Sequence, residues 1–383
     1  IPVSVTTIGE EAFALCTSLT SITIPDSVTD IGAEAFRECT SLASVTIPAS
    51  ITSISRGAFD GCTSLASLAI PASVTTIGSG AFYCCRSLTS VIIPASVITI
   101  GDSAFEDCTS LVSVTIPASV TTIGDSAFRD CTSLRTVTIP GSVTTIDSQA
   151  FSGCTALASV TIPASVTTID DAAFSHCTSL ASITVDAANP NYSSLDGVLF
   201  NKARTTLIEC PGGKTGSYLI PASVTTIGNH AFWNCTFLTN VTIPASVTAI
   251  GNSAFSGCSS LTSVTIPASV TTIGFTAFSF CASLTSVYFA GNAPTPSLMM
   301  FNSCPATVYY LPNTIGWGDT YADRPTQLWN PAVSGTTVAM PVFNPNEGAF
   351  LGDSVRVTVT CPTEGSTIYY TMDGSEPTTA SPV

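Results

Sequence analysis

Charge is the scarcest property of this sequence. Only 9% of its 383 residues are Asp, Glu, Lys or Arg, and two are histidine. Ten basic residues against 25 acidic ones leave a formal net charge of −15, a field that repels DNA, RNA and anionic lipid surfaces. No nucleic-acid partner is expected. No uninterrupted apolar run reaches the roughly 18 residues of a spanning helix, so no membrane insertion is expected within this chain. Fifteen cysteines are present without a single C-x-x-C pair, so the compact spacing that gathers thiolates around zinc is missing. His176 and His230 both fall at variable positions, and nothing in the spacing assembles the hydrogen-bonded nucleophile, base and orienting group of a triad. The expectation is a protein without catalytic residues, cofactor or metal site, and not an enzyme.

What is abundant is repetition. Phenylalanines of an A-F-x-x-C motif occur at 13, 36, 59, 82, 105, 128, 151 and 174, each 23 residues after the last. The register resumes at Phe232, Phe255, Phe278 and Phe301. Repeats of about 20–29 residues with an L-x-x-L-x-L core mark leucine-rich-repeat solenoids. Here that core reads "LTSITI" (Leu19 to Ile24), "LASVTI" (Leu42 to Ile47) and "LVSVTI" (Leu111 to Ile116). The fold class expected is a leucine-rich-repeat solenoid of stacked 23-residue coils with a parallel β-sheet face, followed by a partial all-β, sandwich-like domain.

The β-branched alternation makes each core segment a strand, with Leu, Val and Ile inward and Ser or Thr outward. Pro25, Pro48 and Pro71 end the strands, because proline brings no N–H to the ladder. A second short strand, "SVTTI", follows on the opposite side, glycines such as Gly32, Gly101 and Gly124 turn the chain, and the A-F-x-x-C segment is expected as a short helical turn carrying Phe into the core. One coil cannot bury its own apolar face; stacked copies can. A serine column (Ser27, Ser50, Ser73, Ser96, Ser119) can bond turn backbone that would otherwise be buried unpaired. The rival reading, an active serine, is disfavoured by its many equivalent copies.

The consensus "IPxSVTxIGxxAFxxCxSLxSVTIP" resembles the BspA-like leucine-rich-repeat family of bacterial and protozoan surface proteins. The likeness covers residues 1–312 and is strong in every coil but one. In that coil, "NPNYSSLDGVLFNKARTTLIECPGGKTGSYLIP" (Asn189 to Pro221) carries 12 extra residues and resembles a longer variant seen in the family. It reads as a β-hairpin insert at about 186–219, with Asn201 and Lys202 near the turn. The resemblance implies an extracellular or cell-surface protein that adheres to or binds a ligand.

Residues 313–338 read as an aromatic cap and linker, with Tyr309, Tyr310, Trp317 and Trp329 expected over the open end of the solenoid. From 339 to 383 the text changes. "TIYYTMDGSEPT" and its Asp373-Gly374 turn resemble the small C-terminal domain of chitobiase/β-hexosaminidase-type proteins, here lacking its last strands. Such a module implies a secreted, modular bacterial protein. The chain starts partway through a repeat and stops partway through this module, so it is expected to be a fragment, with any signal or anchor outside it.

Twelve cysteines share the repeat register. Strands about 4.8 Å apart bring such neighbours within disulfide range, yet parallel Cβ vectors are poor disulfide geometry. A ladder of buried thiols is expected, with Cys84 exposed. Arg37 with Asp60, and Glu106 with Arg129, are register neighbours and can bridge coils. Asp102, Asp107, Asp125 and Asp130 are read as a solvated acidic face in preference to a Ca²⁺ site. Aromatics depart from the pattern at Trp233, Phe237, Phe275, Phe280 and Tyr288; exposed rings suit sugar stacking or partner contact, though they can equally shield the solenoid's end. Regular coils present near-identical surfaces, so recognition is expected in the exceptions: these five aromatics, Asn201 and Lys202, as one region over the insert and the next three coils. The function expected is a monomeric, non-enzymatic adhesion or ligand-binding scaffold for a host protein or glycan. The alternative is a carbohydrate-binding accessory region of a larger secreted glycan-active enzyme.

Overall fold

A computed structural model describes residues 1–329, together with the backbone of Val342–Asn344 and Thr358–Thr360. The chain winds into a parallel β-solenoid of about 13 turns. Ser21–Thr23, Ser44–Thr46, Ser67–Ala69, Ser90–Ile92, Ser113–Thr115 and Thr136–Thr138 form one six-stranded parallel sheet. Its register repeats without slip, as in Ser113↔Thr136 and Val114↔Val137. Val45, Val91 and Val114 point inward and are buried, while Ser and Thr at alternate positions are exposed. That is the period-2 alternation read from the sequence. The prolines stop each strand and open a turn: Val28 donates its N–H to the Pro25 carbonyl at 3.0 Å, and Val74 to that of Pro71 at 3.0 Å. The second short strand exists too, as a parallel sheet of two-residue strands running from Ser53–Ile54 to Thr168–Ile169.

The A-F-x-x-C segment is not helical. Ala35 N–H donates to Gly32 O, Arg37 to Glu34 O and Cys39 to Phe36 O, three successive tight turns. Glu34 and Glu38 sit at φ 57° and 54°, the positive φ that a type II turn places at its third residue. A helix would direct each N–H back along its own coil. Here alternate N–H groups point instead at the next coil: Glu34 to Arg56 O (2.9 Å), Phe36 to Ala58 O (2.9 Å) and Glu38 to Asp60 O (2.6 Å). The segment is therefore a third intercoil ladder, which answers where its buried backbone groups find partners.

Side chains add further rungs. Phe13 through Phe174 stack with ring centroids 5.2–5.6 Å apart. The register thiols stay free and buried except Cys16, which is exposed. Most of the buried ones donate back to a phenylalanine carbonyl, as Cys62 to Phe36 O at 3.2 Å and Cys108 to Phe82 O at 3.2 Å, while Cys235 turns to Cys210 O and Cys304 to Leu284 O. Burial pushes the Cys62 thiol up to about 12. The serine column does what was expected of it: Ser27 Oγ donates to Val5 O at 2.7 Å, Ser73 to Ile51 O at 2.6 Å, and Ser119 to Val97 O.

The insert is built into the wall. Tyr192–Leu195, Val198–Asn201 and Thr206–Glu209 form an antiparallel meander, one strand more than the hairpin expected. The third strand then pairs parallel with Thr226–Ile227 and so opens a separate six-stranded sheet that runs on through Ala249–Ile250 to Thr272–Ile273. Asn189 assumes the serine's task. Its buried Nδ2 donates to Pro163 O (2.8 Å) and Val166 O (2.9 Å), while Oδ1 accepts the N–H groups of Asn191 and Tyr192. Val198, Leu199 and Phe200 are all fully buried, and the core divides at them. Leu199 packs with the N-terminal part, Val198 and Phe200 with the C-terminal part.

At the far end Tyr310, Trp317, Tyr321 and Phe289 pack together, with the Tyr321 hydroxyl donating to Pro294 O at 3.1 Å. Tyr309 and Trp329, expected in this cap, contact Tyr288 instead. Val342–Asn344 and Thr358–Thr360 pair antiparallel. The remainder of the β domain read at 339–383, and of the linker beyond 329, lies outside the described residues. Among the described residues no helix is long and apolar enough to cross a membrane.

Candidate binding surface

The outward face of the strand row is neutral and mostly hydroxyl-bearing: Ser44, Thr46, Ser113, Thr115, Ser159 and Thr161 are all exposed, with Ile92 and Leu219 as exposed apolar exceptions. Hydroxyls spread over a flat sheet offer many weak contacts and little grip. Tyr288 breaks the pattern. It lies on the strand Ser286–Phe289, directly opposite Thr265 on one side and Tyr309 on the other. The rings of Tyr288 and Tyr309 stack at 5.0 Å, and Trp329 closes on Tyr288 at 5.0 Å, tilted by 54°. All three are half-buried. Among the described residues the Trp329 indole N–H is buried without a hydrogen-bond partner. Stacked rings bordered by hydroxyl-bearing strands combine apolar area with polar tips, the mixture that suits a sugar or a partner side chain.

The other aromatics sit elsewhere. Trp233 lies on the turn ladder, edge-on to His176 at 4.5 Å and tilted against His230 at 4.8 Å. Asn234 Nδ2 is 2.9 Å from His176 Nδ1. Burial holds both imidazoles below their usual range. Phe275 and Phe280 lie on the same ladder, about half exposed, and Phe237 stands just before the strand Leu238–Thr242. Phe280 has φ 58°, a left-handed conformation costly for a bulky residue. Among the described residues, no ring contact joins any two of the five predicted aromatics.

Asn201 and Lys202 are spent inside the insert. Asn201 Oδ1 accepts the N–H groups of Thr205 (2.9 Å) and Thr206 (3.0 Å), and its amide donates to Thr205 Oγ1. Lys202 Nζ donates to the carbonyls of Ala187 (3.2 Å) and Asn189 (2.5 Å). Among the described residues, no ring contact or side-chain hydrogen bond joins any two of the seven candidates. Sequence reasoning missed Tyr309 and Trp329 as companions of Tyr288. The first was legible, since "TVYY" repeats the alternation of "SVYF"; the second was not, because Trp329 follows its strand and folds back.

The acidic positions separate. Arg86 holds Asp107 at 2.7 Å and Arg129 lies 3.4 Å from Asp130, while Asp102 accepts the Asp125 N–H at 3.2 Å. Among the described residues no three His, Cys, Asp or Glu side chains gather as metal ligands. The expected intercoil pairs form, Arg37 with Asp60 at 3.7 Å and Arg129 with Glu106 at 3.4 Å. Cys84 is half-buried rather than exposed, its Sγ 3.2 Å from Asp107 Oδ2. Burial and that carboxylate push its thiol up.

The sequence matches the BspA type leucine rich repeat region over residues 1–112, 98–215 and 212–322. Residues 345–383 match the chitobiase/beta-hexosaminidase C-terminal domain. A leucine rich cell surface protein of Faecalibacterium prausnitzii is similar in structure, with 32% identity, 80% of this chain and 83% of that one covered, and a TM-score of 0.56. A leucine-rich repeat protein of Bacteroides ovatus shares 28% identity over 85% of this chain and 88% of its own, at a TM-score of 0.54. The pneumococcal vaccine antigen PcpA has the same fold at 24% identity, with 76% and 78% covered and a TM-score of 0.52. No curated protein matches the sequence.

Proposed function

Because the chain belongs to the BspA-type leucine-rich-repeat family, we propose that it is a non-enzymatic, cell-surface binding scaffold for an extracellular protein or glycan. The observation that carries this reading is the aromatic group of Tyr288, Tyr309 and Trp329 on a largely Ser/Thr-lined face. The regular coils supply length and a stiff support, and the irregular ones supply grip. Likeness to a cell-surface protein of Faecalibacterium prausnitzii supports the location.

A second reading has its own support. The match to a chitobiase/beta-hexosaminidase C-terminal domain at 345–383 favours a carbohydrate-binding accessory region of a larger secreted glycan-active enzyme. An array of glycans and extracellular-matrix proteins probed with this chain tests both. Binding to matrix proteins supports the scaffold, binding confined to the glycans of one enzyme class supports the accessory role, and binding to neither leaves only a structural spacer.

A further inference from the structure

One seam interrupts the solenoid, and an ionisable group fills it. In the regular coils the phenylalanine N–H of the turn ladder donates to the alanine carbonyl one coil on, as Phe128 to Ala150 O at 2.8 Å and Phe151 to Ala173 O at 2.8 Å. Beyond Phe174 the insert replaces that coil, and no such carbonyl follows. Phe174 N–H donates to the side chain of Glu209 instead (Oε2, 3.3 Å), and Ser175 Oγ lies 3.0 Å from Oε1. The ladder restarts one residue later, where Cys210 N–H donates to Ala231 O at 2.7 Å. Glu209 is 3% exposed. The hydrophobic core divides across the same seam, and the phenylalanine stack that ends at Phe174 resumes only with Phe232.

We propose that Glu209 makes this seam a proton-sensitive joint, at which the two halves of the solenoid part more readily as the pH rises from acidic to neutral. The carboxyl can be neutral here because the Ser175 hydroxyl can either donate to it or accept its proton. Burial pushes Glu209 up to about 7 from an ordinary 4.5; Ser175 and the Phe174 N–H oppose this, and Asp171 adds to it. The groups around it are few. Burial pushes the Cys177 thiol up, and the Cys210 side chain beside Cys235, together with burial, does the same there, so both stay protonated. On the outer lip Asn229 Nδ2 reaches Asp171 at 3.2 Å, and His176 and His230 flank Trp233. Burial lowers both imidazoles; Asp130 pulls His176 up and Asp171 pulls His230 up, while Arg129 and His230 push His176 down.

The signs are opposite. A carboxyl whose closed-state pKa exceeds its open-state value binds its proton more tightly when the seam is shut. Its contribution is complete below about 4.5 and is lost as the pH rises through about 7, with opening increasing by at most roughly tenfold per pH unit between those limits. The histidines act the other way, destabilising the closed seam as the pH falls below their ordinary 6.5. Acidification would thus stiffen the scaffold through Glu209 until the imidazoles begin to charge.

Amide hydrogen exchange on the full chain between pH 5 and 8.5, corrected for intrinsic rates, tests the joint. Protection at Phe174, Cys210 and their neighbours should fall as the pH rises from about 6.5 through about 7 and level off above, relative to the regular coil around Phe128. Glu209→Gln should abolish that fall and leave only the histidine limb, in which protection rises with pH. The joint is refuted if seam and regular coil respond alike in the parent chain, a result that does not depend on the variant folding. It is equally refuted if Glu209→Gln folds and keeps the parent's decline.

Discussion

Phe128 makes the division of labour among residues measurable. Its ring is wholly buried, 5.4 Å from both Phe105 and Phe151, so truncation to Ala opens a cavity between two coils and should cost about 3–5 kcal/mol. Thr115 is exposed on the strand face, and its replacement by Ala should change stability by no more than about 0.5 kcal/mol. Chemical denaturation of both variants checks the pair, and equal midpoints would invert the assignment of inside and outside. Thiol chemistry gives a second check. Cys84 is half-buried and its thiol is raised by burial and by Asp107, so a maleimide should react slowly near neutrality and faster as the pH rises. Cys108, fully buried, should react only after unfolding. Rapid pH-independent labelling at Cys84 would mean that its contact with Asp107 is absent. Which residues face inward was legible from alternation and register alone. The partial burial of Cys84 was not, because register sets it beside Asp107 but does not show that Arg86, bound to that carboxylate, also comes within 3.7 Å of the sulfur.

Among the elements, strands and their stacking were readable because a 23-residue period forces each row of residues to meet itself. The A-F-x-x-C segment was misread as helical, since a five-residue motif carries no periodicity to separate a helix from successive turns. A usable signal lay in the rows before and after the Ala-Phe pair. Glycine recurs there at Gly57, Gly61, Gly80, Gly153 and Gly257, all with positive φ, which right-handed helices do not use. The insert was legible as a hairpin from its turn residues, but the parallel pairing of its third strand with Thr226–Ile227 is long-range and no local pattern encodes it. Asn189 holds the other junction, where the insert leaves the preceding coil. Replacing it with Ala would remove four hydrogen bonds and leave the buried Val166 carbonyl without this donor, so the variant should lose about 1–3 kcal/mol. Thermal and denaturant unfolding measure the loss, and a loss under about 0.5 kcal/mol would show that the junction is held by something else.

For the molecule as a whole, nearest-neighbour stacking explains why so few charges suffice: each coil is closed by the next through backbone ladders, with a carboxyl standing in for a carbonyl at the Glu209 seam. The family was legible in the repeat consensus, and the solenoid follows from it. The candidate site was legible only in part. Tyr288 stood out as an exception to a threonine row, whereas its association with Tyr309 and Trp329, and the internal employment of Asn201 and Lys202, arise from folding geometry. Recognition through the strand-face aromatics is the central claim, and one binding measurement bears on it most directly. With a ligand from the glycan and matrix-protein array, affinity is compared for the parent chain, Tyr288→Ala and Tyr309→Ala on the strand face, and Trp233→Ala and Phe280→Ala on the turn ladder. Aromatic anchors at an interface often contribute about 2 kcal/mol or more. The two strand-face variants should fold yet bind at least about tenfold more weakly, while the turn-ladder variants bind like the parent. The reverse pattern, with strand-face variants at parental affinity and turn-ladder variants impaired, would contradict the central claim.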